Sequence, residues 1–151
     1  MAKTIYVLNG PNMNMLGIRE PHLYGKTTLK DVEALCARAC KERGYEMDFR
    51  QSNHEGDLID WLHEAHAKKV SGVVINPGGH TSTSISLLDA VKSIGPLPVI
   101  EVHISHVHQR EEWRQWSYIG HGVKASLCGF GVNGYVLAIS GLVSMLEDVK
   151  D

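Results

Sequence analysis

Short runs of β-branched and aromatic residues alternate along this chain with longer stretches in which apolar residues recur every three or four positions. The short runs are typical of buried strands, and the longer stretches are typical of amphipathic helices. Five strands alternating with helices indicate a parallel sheet covered on both faces. The sequence therefore predicts an α/β fold, a flavodoxin-like doubly wound five-stranded parallel sheet in the order 2-1-3-4-5. The predicted strands are residues 5–8, 45–50, 72–76, 98–102 and 125–128.

The helical stretches have recognisable ends and inward faces. Thr28 is the predicted N-cap of the first helix, and Gly44 ends it. In the third helix, the apolar spacing predicts that Ile85, Leu88 and Val91 face inward. The second, third and fourth helices are predicted at residues 58–70, 82–93 and 134–149.

Length and charge narrow the class of protein. A chain of 151 residues is suited to a single domain spanning residues 1–151. A formal net charge of -2 argues against nucleic acid or an anionic membrane as partner and favours small-molecule or protein partners. The N-terminus shows no signal-peptide pattern, which predicts a cytoplasmic protein. Cys36, Cys40 and Cys128 lack paired spacing, so we expect reduced core residues rather than a disulfide or a metal site.

Three loops follow the predicted strands one, three and four. Residues 10–26 contain three glycines, two prolines and two asparagines, which predicts a long connection without regular structure. In doubly wound sheets, ligands bind beyond the carboxyl ends of the strands, where the strand order reverses. We therefore expect residues 9–24, 76–83 and 103–114, which carry most of the loop-borne polar side chains, to converge on one site.

The first loop contains a candidate base, Tyr24, and a candidate activator, Arg19. A tyrosine in such a loop is ordinarily a surface or packing residue. To act as a base, its pKa must fall from about 10 toward neutrality, which requires roughly 3–4 kcal/mol. One guanidinium at about 4 Å in an effective dielectric near 20 supplies about 4 kcal/mol. A single close arginine is therefore sufficient.

The loop after the fourth strand contains a candidate acid, His103. Glu101 lies two residues earlier, on the same side of the strand, where it can accept the ring N–H and orient the imidazole. The spacing of His103, His106 and His108 also suggests a metal-dependent hydrolase, because imidazole is the commonest zinc ligand. No regular strand or helix places all three on one face, so the acid interpretation is favoured and His106 and His108 are interpreted as surface residues.

The loop after the third strand is rich in glycine and hydroxyl groups and precedes a predicted helix. Residues 76–84 offer backbone N–H groups and side-chain hydroxyls near a positive helix end, where a carboxylate or a polyol could bind. A glycine turn followed by a serine or threonine N-cap would look the same, and that alternative remains open.

Taken together, these motifs resemble type II 3-dehydroquinate dehydratase across nearly the whole chain. The family is flavodoxin-like, needs no metal or cofactor, and forms dodecamers built from trimers. Its reaction is shared by aromatic amino-acid biosynthesis and quinate breakdown. The matching segments are Asn9-Gly10-Pro11-Asn12, Leu16-Gly17-x-Arg19-Glu20-Pro21-x-x-Tyr24-Gly25, Gln51-Ser52-Asn53-x-Glu55-Gly56, Asn76-Pro77-Gly78 and Glu101-Val102-His103-Ile104-Ser105-x-Val107-His108-x-Arg110-Glu111.

The resemblance implies a catalytic role for each matching residue. Tyr24, as tyrosinate, would remove a proton from C2 beside the ketone of 3-dehydroquinate, and His103 would protonate the departing C1 hydroxyl in an anti elimination. Arg19, with Arg110, would keep the phenolate charged, and Asn12 would hold a water that stabilises the enolate. The loop of residues 16–24 would be a lid that excludes water.

The resemblance also implies a substrate-binding set. The substrate carboxylate would bind Asn76 and the backbone amides of Ile104 and Ser105, and ring hydroxyls would bind Arg114 together with Asp89 of a neighbouring subunit. We also place Ser82 in this set, at the position of a histidine that contacts substrate in the family.

The chain departs from the family pattern at three positions near this set. Ser82 replaces the histidine, Leu88 replaces an arginine, and His106 replaces an asparagine. His80 is a candidate to replace the missing histidine. These departures motivate an alternative function, a binding or regulatory protein that keeps the fold but has relaxed chemistry or an altered substrate.

Overall fold

A parallel sheet of five strands forms the centre of the fold, and the computed structural model describes residues 3–18, 22 and 25–148. The strand order is β2-β1-β3-β4-β5, and every neighbouring pair is parallel. Both the predicted fold class and the predicted strand order are thus confirmed. The strands are β1 (Thr4–Asn9), β2 (Glu46–Gln51), β3 (Gly72–Asn76), β4 (Val99–His103) and β5 (Ala125–Cys128).

Helices cover the two faces of the sheet in pairs. They are α1 (Leu29–Glu42), α2 (Glu55–Ala67), α3 (Ile85–Ser93) and α4 (Asn133–Asp148). Because strand side chains alternate between faces, Ile5 and Val7 of β1 pack with α1 and α4, whereas Tyr6 and Leu8 pack with α2 and α3. This alternation creates two apolar cores, one on each face of the sheet.

The first helix begins and ends as the sequence predicts. The Thr28 hydroxyl accepts from the Asp31 N–H at 3.3 Å, and the Asp31 carboxylate accepts from the Thr28 N–H at 3.0 Å, a reciprocal capping box. These hydrogen bonds lower the pKa of Asp31. After the helix, Gly44 has φ +83, a left-handed conformation that suits glycine.

The start of α3 differs from the prediction. The N-cap is Ser84, whose hydroxyl accepts from the Leu87 N–H at 2.9 Å, and residues Gly78–Ser82 form a 3-10 helix. Within α3, Leu87 and Val91 are buried. The prediction that Ile85 faces inward is wrong, because this side chain is 56% exposed. Leu88 is partly buried against the same core.

Two further predictions concern the first loop and the cysteines. The loop is not wholly irregular, because Met13–Met15 form a 3-10 helix. Cys36 and Cys40 are buried free thiols, as predicted, and burial raises the pKa of Cys36 to about 12 and of Cys40 to about 11. Cys128 is free and partly exposed. In the described part of the chain, no helix is both long and apolar enough to span a membrane.

Candidate active site

A cavity of about 290 Å³ opens at the carboxyl ends of β1, β3 and β4. Among the residues that the structure describes, its walls come from the three segments that the sequence predicted to converge. The first contributes Pro11, Asn12, Met13 and Leu16, the second Asn76, Gly78, Gly79, Thr81, Ser82 and Thr83, and the third His103, Ile104, Ser105, Val107, Arg110, Trp113 and Arg114.

The first and second segments touch through their backbones. The Gly10 N–H donates to the Asn76 carbonyl at 2.8 Å. A Cβ at Gly10 would lie 2.4 Å from the Pro77 carbonyl oxygen, so only glycine permits this approach. Gly78 has φ +59, and its Cβ would lie 3.0 Å from the Pro11 carbonyl oxygen. These glycines therefore set the spacing between two walls of the cavity.

The third segment presents His103 at the end of β4. Its side chain is 12% exposed, and its Nε2 hydrogen-bonds the carboxylate of Glu101, which is buried. The predicted pairing of these two residues is thus present. The Ser117 hydroxyl also donates to this carboxylate, at 3.0 Å from Oε1 and 2.9 Å from Oε2. We refer to Glu101, His103 and Ser117 as the His103 cluster.

A second polar network lies beneath the cavity and includes Tyr135 of α4, which is fully buried. The Tyr135 hydroxyl donates to Asn9 Oδ1 at 2.7 Å and accepts from Asn76 Nδ2 at 2.9 Å. The Asn76 Oδ1 accepts from the Gly78 N–H at 3.2 Å. The side-chain amide of Asn76 is thereby held in one orientation by α4 and by the glycine turn. Burial raises the pKa of Tyr135, so its hydroxyl stays neutral.

Asn12 lines the cavity as part of the first segment. Its φ is +68, a left-handed conformation that asparagine tolerates. Its N–H donates to Asn53 Oδ1 at 3.0 Å, and Gln51 Nε2 donates to the same oxygen at 3.1 Å. Residues at the end of β2 and just after it therefore support the backbone that carries Asn12.

Two guanidinium groups line the opposite wall. Arg110 is 13% exposed, with its Nε 3.8 Å from Glu111 Oε1. Arg114 places its Nε 3.2 Å from Glu111 Oε2 and its guanidinium 4.4 Å from the centre of the Trp113 ring. A hydrogen bond from its own backbone, followed by the two arginines, lowers the pKa of Glu111. The two cations beside polar walls suit a small anionic, hydroxylated ligand.

Ser82, His80 and Asp89 differ in their positions relative to the cavity. Ser82 lines the cavity, but its hydroxyl donates to the Trp116 carbonyl at 3.0 Å. His80 does not line the cavity, and its buried Nε2 has no hydrogen-bond partner within the part of the chain that the structure describes. Asp89 is exposed on α3 and lies outside the walls of this cavity.

The alternative metal-binding triad of His103, His106 and His108 does not assemble around a single point. His106 and His108 contact each other with ring centres 5.5 Å apart, and His106 Nδ1 lies 3.5 Å from Cys128 Sγ. Neither lines the cavity, whereas His103 does. Across residues 3–18, 22 and 25–148, no group of three histidine, cysteine, aspartate or glutamate residues is arranged to hold a metal ion.

Tyr24 and Arg19, the predicted base and its activator, lie outside the described residues. The same holds for most of the predicted lid after Ile18. Two residues of the site, Ser117 and Tyr135, were not predicted from the sequence. Ser117 is one serine in a polar loop and Tyr135 is one aromatic residue in an apolar helix, so neither carries a local signal of its contact with the site.

Comparison with known proteins identifies the family. The family model described as dehydroquinase class II matches residues 3–143. A 3-dehydroquinate dehydratase of Rhodopseudomonas palustris (strain BisA53) is 58% identical over 146 residues, covering 97% of this chain and 96% of the relative. The corresponding values for one from Acidovorax ebreus (strain TPSY) are 57%, 94% and 98%.

A solved structure gives the same result. The crystal structure of a type II dehydroquinase from Butyrivibrio crossotus DSM 2876 superimposes with a TM-score of 0.91 and 40% sequence identity, covering 93% of this chain and 97% of that one. This chain therefore belongs to the class II dehydroquinase family.

Proposed function

We propose that this protein is a hydro-lyase that converts 3-dehydroquinate to 3-dehydroshikimate. Membership of the family and the names of its relatives support the reaction. The observation that carries the proposal is the position of His103, which lines the cavity with one ring nitrogen held by the buried Glu101 carboxylate. An imidazole oriented in this way is suited to general acid catalysis.

The proposed reaction is an anti elimination through an enolate. Tyr24, as tyrosinate, takes the proton from C2, and the electrons of that C–H bond move toward the ketone oxygen. His103 then protonates the C1 hydroxyl, which leaves as water while the enolate collapses to the conjugated enone. In the proposal, Arg19 and Arg110 stabilise the phenolate, and Asn12 holds a water against the enolate oxygen. No cofactor or metal takes part in these steps.

The proposed binding mode uses both polar walls of the cavity. Asn76 and the backbone amides of Ile104 and Ser105 bind the substrate carboxylate. The rigid support of Asn76 by Tyr135 at 2.9 Å favours such a positioning role. On the other wall, Arg114 binds ring hydroxyls, with Ser82 beside it.

Asp89 is proposed to contact the substrate bound by a neighbouring subunit. Its exposure on α3, outside the cavity of its own chain, supports this arrangement. The proposal requires a homo-oligomer, which we propose to be a dodecamer built from trimers.

The test is spectroscopic, because 3-dehydroshikimate is a conjugated enone that absorbs in the ultraviolet. Purified protein incubated with 3-dehydroquinate should develop this absorbance, and Tyr24→Phe should lower the rate by about 10²–10⁴-fold. The wild-type rate should be unchanged by a chelator. No absorbance from correctly folded wild-type protein at any substrate concentration would reject the proposal.

Ser82 favours a second candidate function, a binding or regulatory protein with relaxed chemistry. The Ser82 hydroxyl donates to the Trp116 carbonyl. The serine side chain is shorter than the histidine of the family pattern, and it carries no charge. A protein of this second kind would be stabilised by 3-dehydroquinate against thermal unfolding without consuming it. Turnover of the ligand during the same measurement would exclude this candidate.

A further inference from the structure

The buried carboxylate of Glu101 needs more than one hydrogen bond. It lies in β4 between β3 and β5, opposite Ile75 and Ser126, with 2% of its surface exposed. An ionised carboxylate in such surroundings is costly unless hydrogen-bond donors replace the lost water. The His103 ring and the Ser117 hydroxyl are two such donors.

The direction of the hydrogen bond from Ser117 is set by a neighbouring amide. The Gly120 N–H donates to Ser117 Oγ at 2.9 Å. A hydroxyl carries one proton, and an oxygen that accepts from Gly120 directs that proton toward Glu101. The carboxylate therefore acts as the acceptor for both Ser117 and the His103 Nε2–H, which leaves Nδ1 as the nitrogen that can transfer a proton in the cavity.

Hydrogen bonds to neighbouring segments hold the backbone at Ser117 in place. The Ser117 carbonyl accepts from His121 Nδ1 at 3.0 Å. The next residue, Tyr118, donates its N–H to the Thr81 carbonyl at 2.9 Å, and the preceding residue accepts the hydrogen bond from Ser82. The backbone on either side of Ser117 is thus held by Thr81 and Ser82, two residues that line the cavity.

From this geometry we infer that Ser117 is a positioning residue for the proposed acid His103, acting through Glu101. The inference rests on the proposed function and adds a residue outside the cavity walls to it. Ser117 does not touch the substrate. It holds the Glu101 carboxylate in place, and Glu101 in turn fixes the tautomer and the angle of the imidazole.

The experiment is a double-mutant cycle on the rate of enone formation. Ser117→Ala should lower kcat by about 10- to 100-fold, the size expected for one hydrogen bond to a charged group, with KM changed less than about threefold. Ser117→Thr keeps the hydroxyl and should restore kcat to within about fivefold of wild type. Ser126→Ala, a matched change beside Glu101 in the sheet, should leave kcat unchanged.

The cycle asks whether Ser117 acts through Glu101. In a Glu101→Gln background, where the ionised acceptor is gone, Ser117→Ala should lower kcat by less than about twofold, because residues that act as one unit are not additive. An equal loss in both backgrounds would overturn the inference, as would a Ser117→Ala enzyme with wild-type kcat.

Two controls separate this inference from the proposed function and from a failure to fold. If wild-type protein is active and Ser117→Ala matches it, the inference fails while the proposed function stands. If wild type itself is silent, both fail. Should Ser117→Ala not fold, the comparison of Ser117→Thr with Ser117→Cys decides, because a thiol is a poor donor: equal kcat values would overturn the inference, and a loss in the cysteine variant alone would support it.

Discussion

Two clusters of charged and polar residues in this protein use carboxylates in different ways. In the His103 cluster, Glu101 is buried and hydrogen-bonded to two side chains beside the cavity. In the second cluster, Glu64 of α2 is about one third exposed and pairs with Arg50 of β2 at 2.5 Å. We call Tyr6, Asp48, Arg50 and Glu64 the Arg50 cluster.

The Arg50 cluster joins the edge strand of the sheet to the helix that covers it. Arg50 donates to Asp48 at 2.7 Å and lies 4.9 Å from the centre of the Tyr6 ring, and the Tyr6 hydroxyl donates to Glu64 at 2.5 Å. None of these residues lines the cavity. The two clusters differ in burial rather than in residue type: the carboxylate beside the proposed acid is buried, whereas the one that joins β2 to α2 is partly exposed. Each prediction below tests this division.

The largest expected effect is on His103. His103→Gln should lower kcat by about 10²–10⁴-fold, because the proposed reaction loses its proton donor. The midpoint of urea unfolding should change little, since glutamine keeps an N–H for Glu101. Enone absorbance and urea titration measure the two quantities. A variant within about threefold of wild-type kcat would show that His103 is not the acid.

The second prediction asks whether the wall of the cavity at Asn76 is structurally linked to the Arg50 cluster. Tyr135 donates to Asn9, and the Asn9 amide donates to the Arg50 carbonyl at 3.1 Å, so one network runs from Asn76 at the cavity to β2. Tyr135→Phe leaves buried polar atoms of both asparagines without their partner and should cost about 1–3 kcal/mol in the free energy of unfolding. Urea titration checks this value, and an unchanged midpoint with an unchanged KM would contradict the link.

The third prediction concerns the Arg50 cluster at neutral pH. Glu64→Gln should lower the free energy of unfolding by about 1 kcal/mol, because the pair is partly exposed to solvent. It should leave kcat within about twofold, since Glu64 lies away from the proposed acid. Glu33→Gln at an exposed position of α1 is the matched control. A drop in kcat with Glu64→Gln would break the division between the two clusters.

The smallest effect is the dependence of this stabilisation on pH. Hydrogen bonds from Arg50 and then from Tyr6 lower the pKa of Glu64 from 4.5 to about 2. The folded state therefore favours the ionised form, so the stabilisation is fully present above pH 4.5 and is lost as the pH falls toward 2. The difference in unfolding free energy between wild type and Glu64→Gln should shrink between pH 6 and pH 3, and a constant difference would contradict this assignment.

The strands and helices could be predicted because their signals are local. Short, mainly apolar runs marked β3 and β5 with the bounds that the structure shows. The start of α3 was misplaced by three residues, since Ser82 and Ser84 are both capable N-caps and only packing selects between them. The packing of α3 on the sheet leaves Ile85 exposed and buries Leu87.

The candidate site was predictable where its residues share a loop or a strand. Glu101 and His103 are two apart on β4, so the period of a strand places them on one side. Ser117 and Tyr135 reach the same site from distant parts of the chain, 16 residues from Glu101 and 59 residues from Asn76. Contacts of that kind depend on how the loops and α4 fold back over the sheet.

By itself, the sequence determined the alternation of strands and helices, the capping of α1 and the family resemblance, because each depends on residue types at short spacing. The tertiary structure decided which donors meet the Glu101 carboxylate, which asparagines Tyr135 joins, and that Ser82 donates to Trp116 instead of pointing only into the cavity. The physical reason is that a buried polar atom takes its partner from whichever segment packing brings within hydrogen-bond distance, however far away that segment lies in the chain.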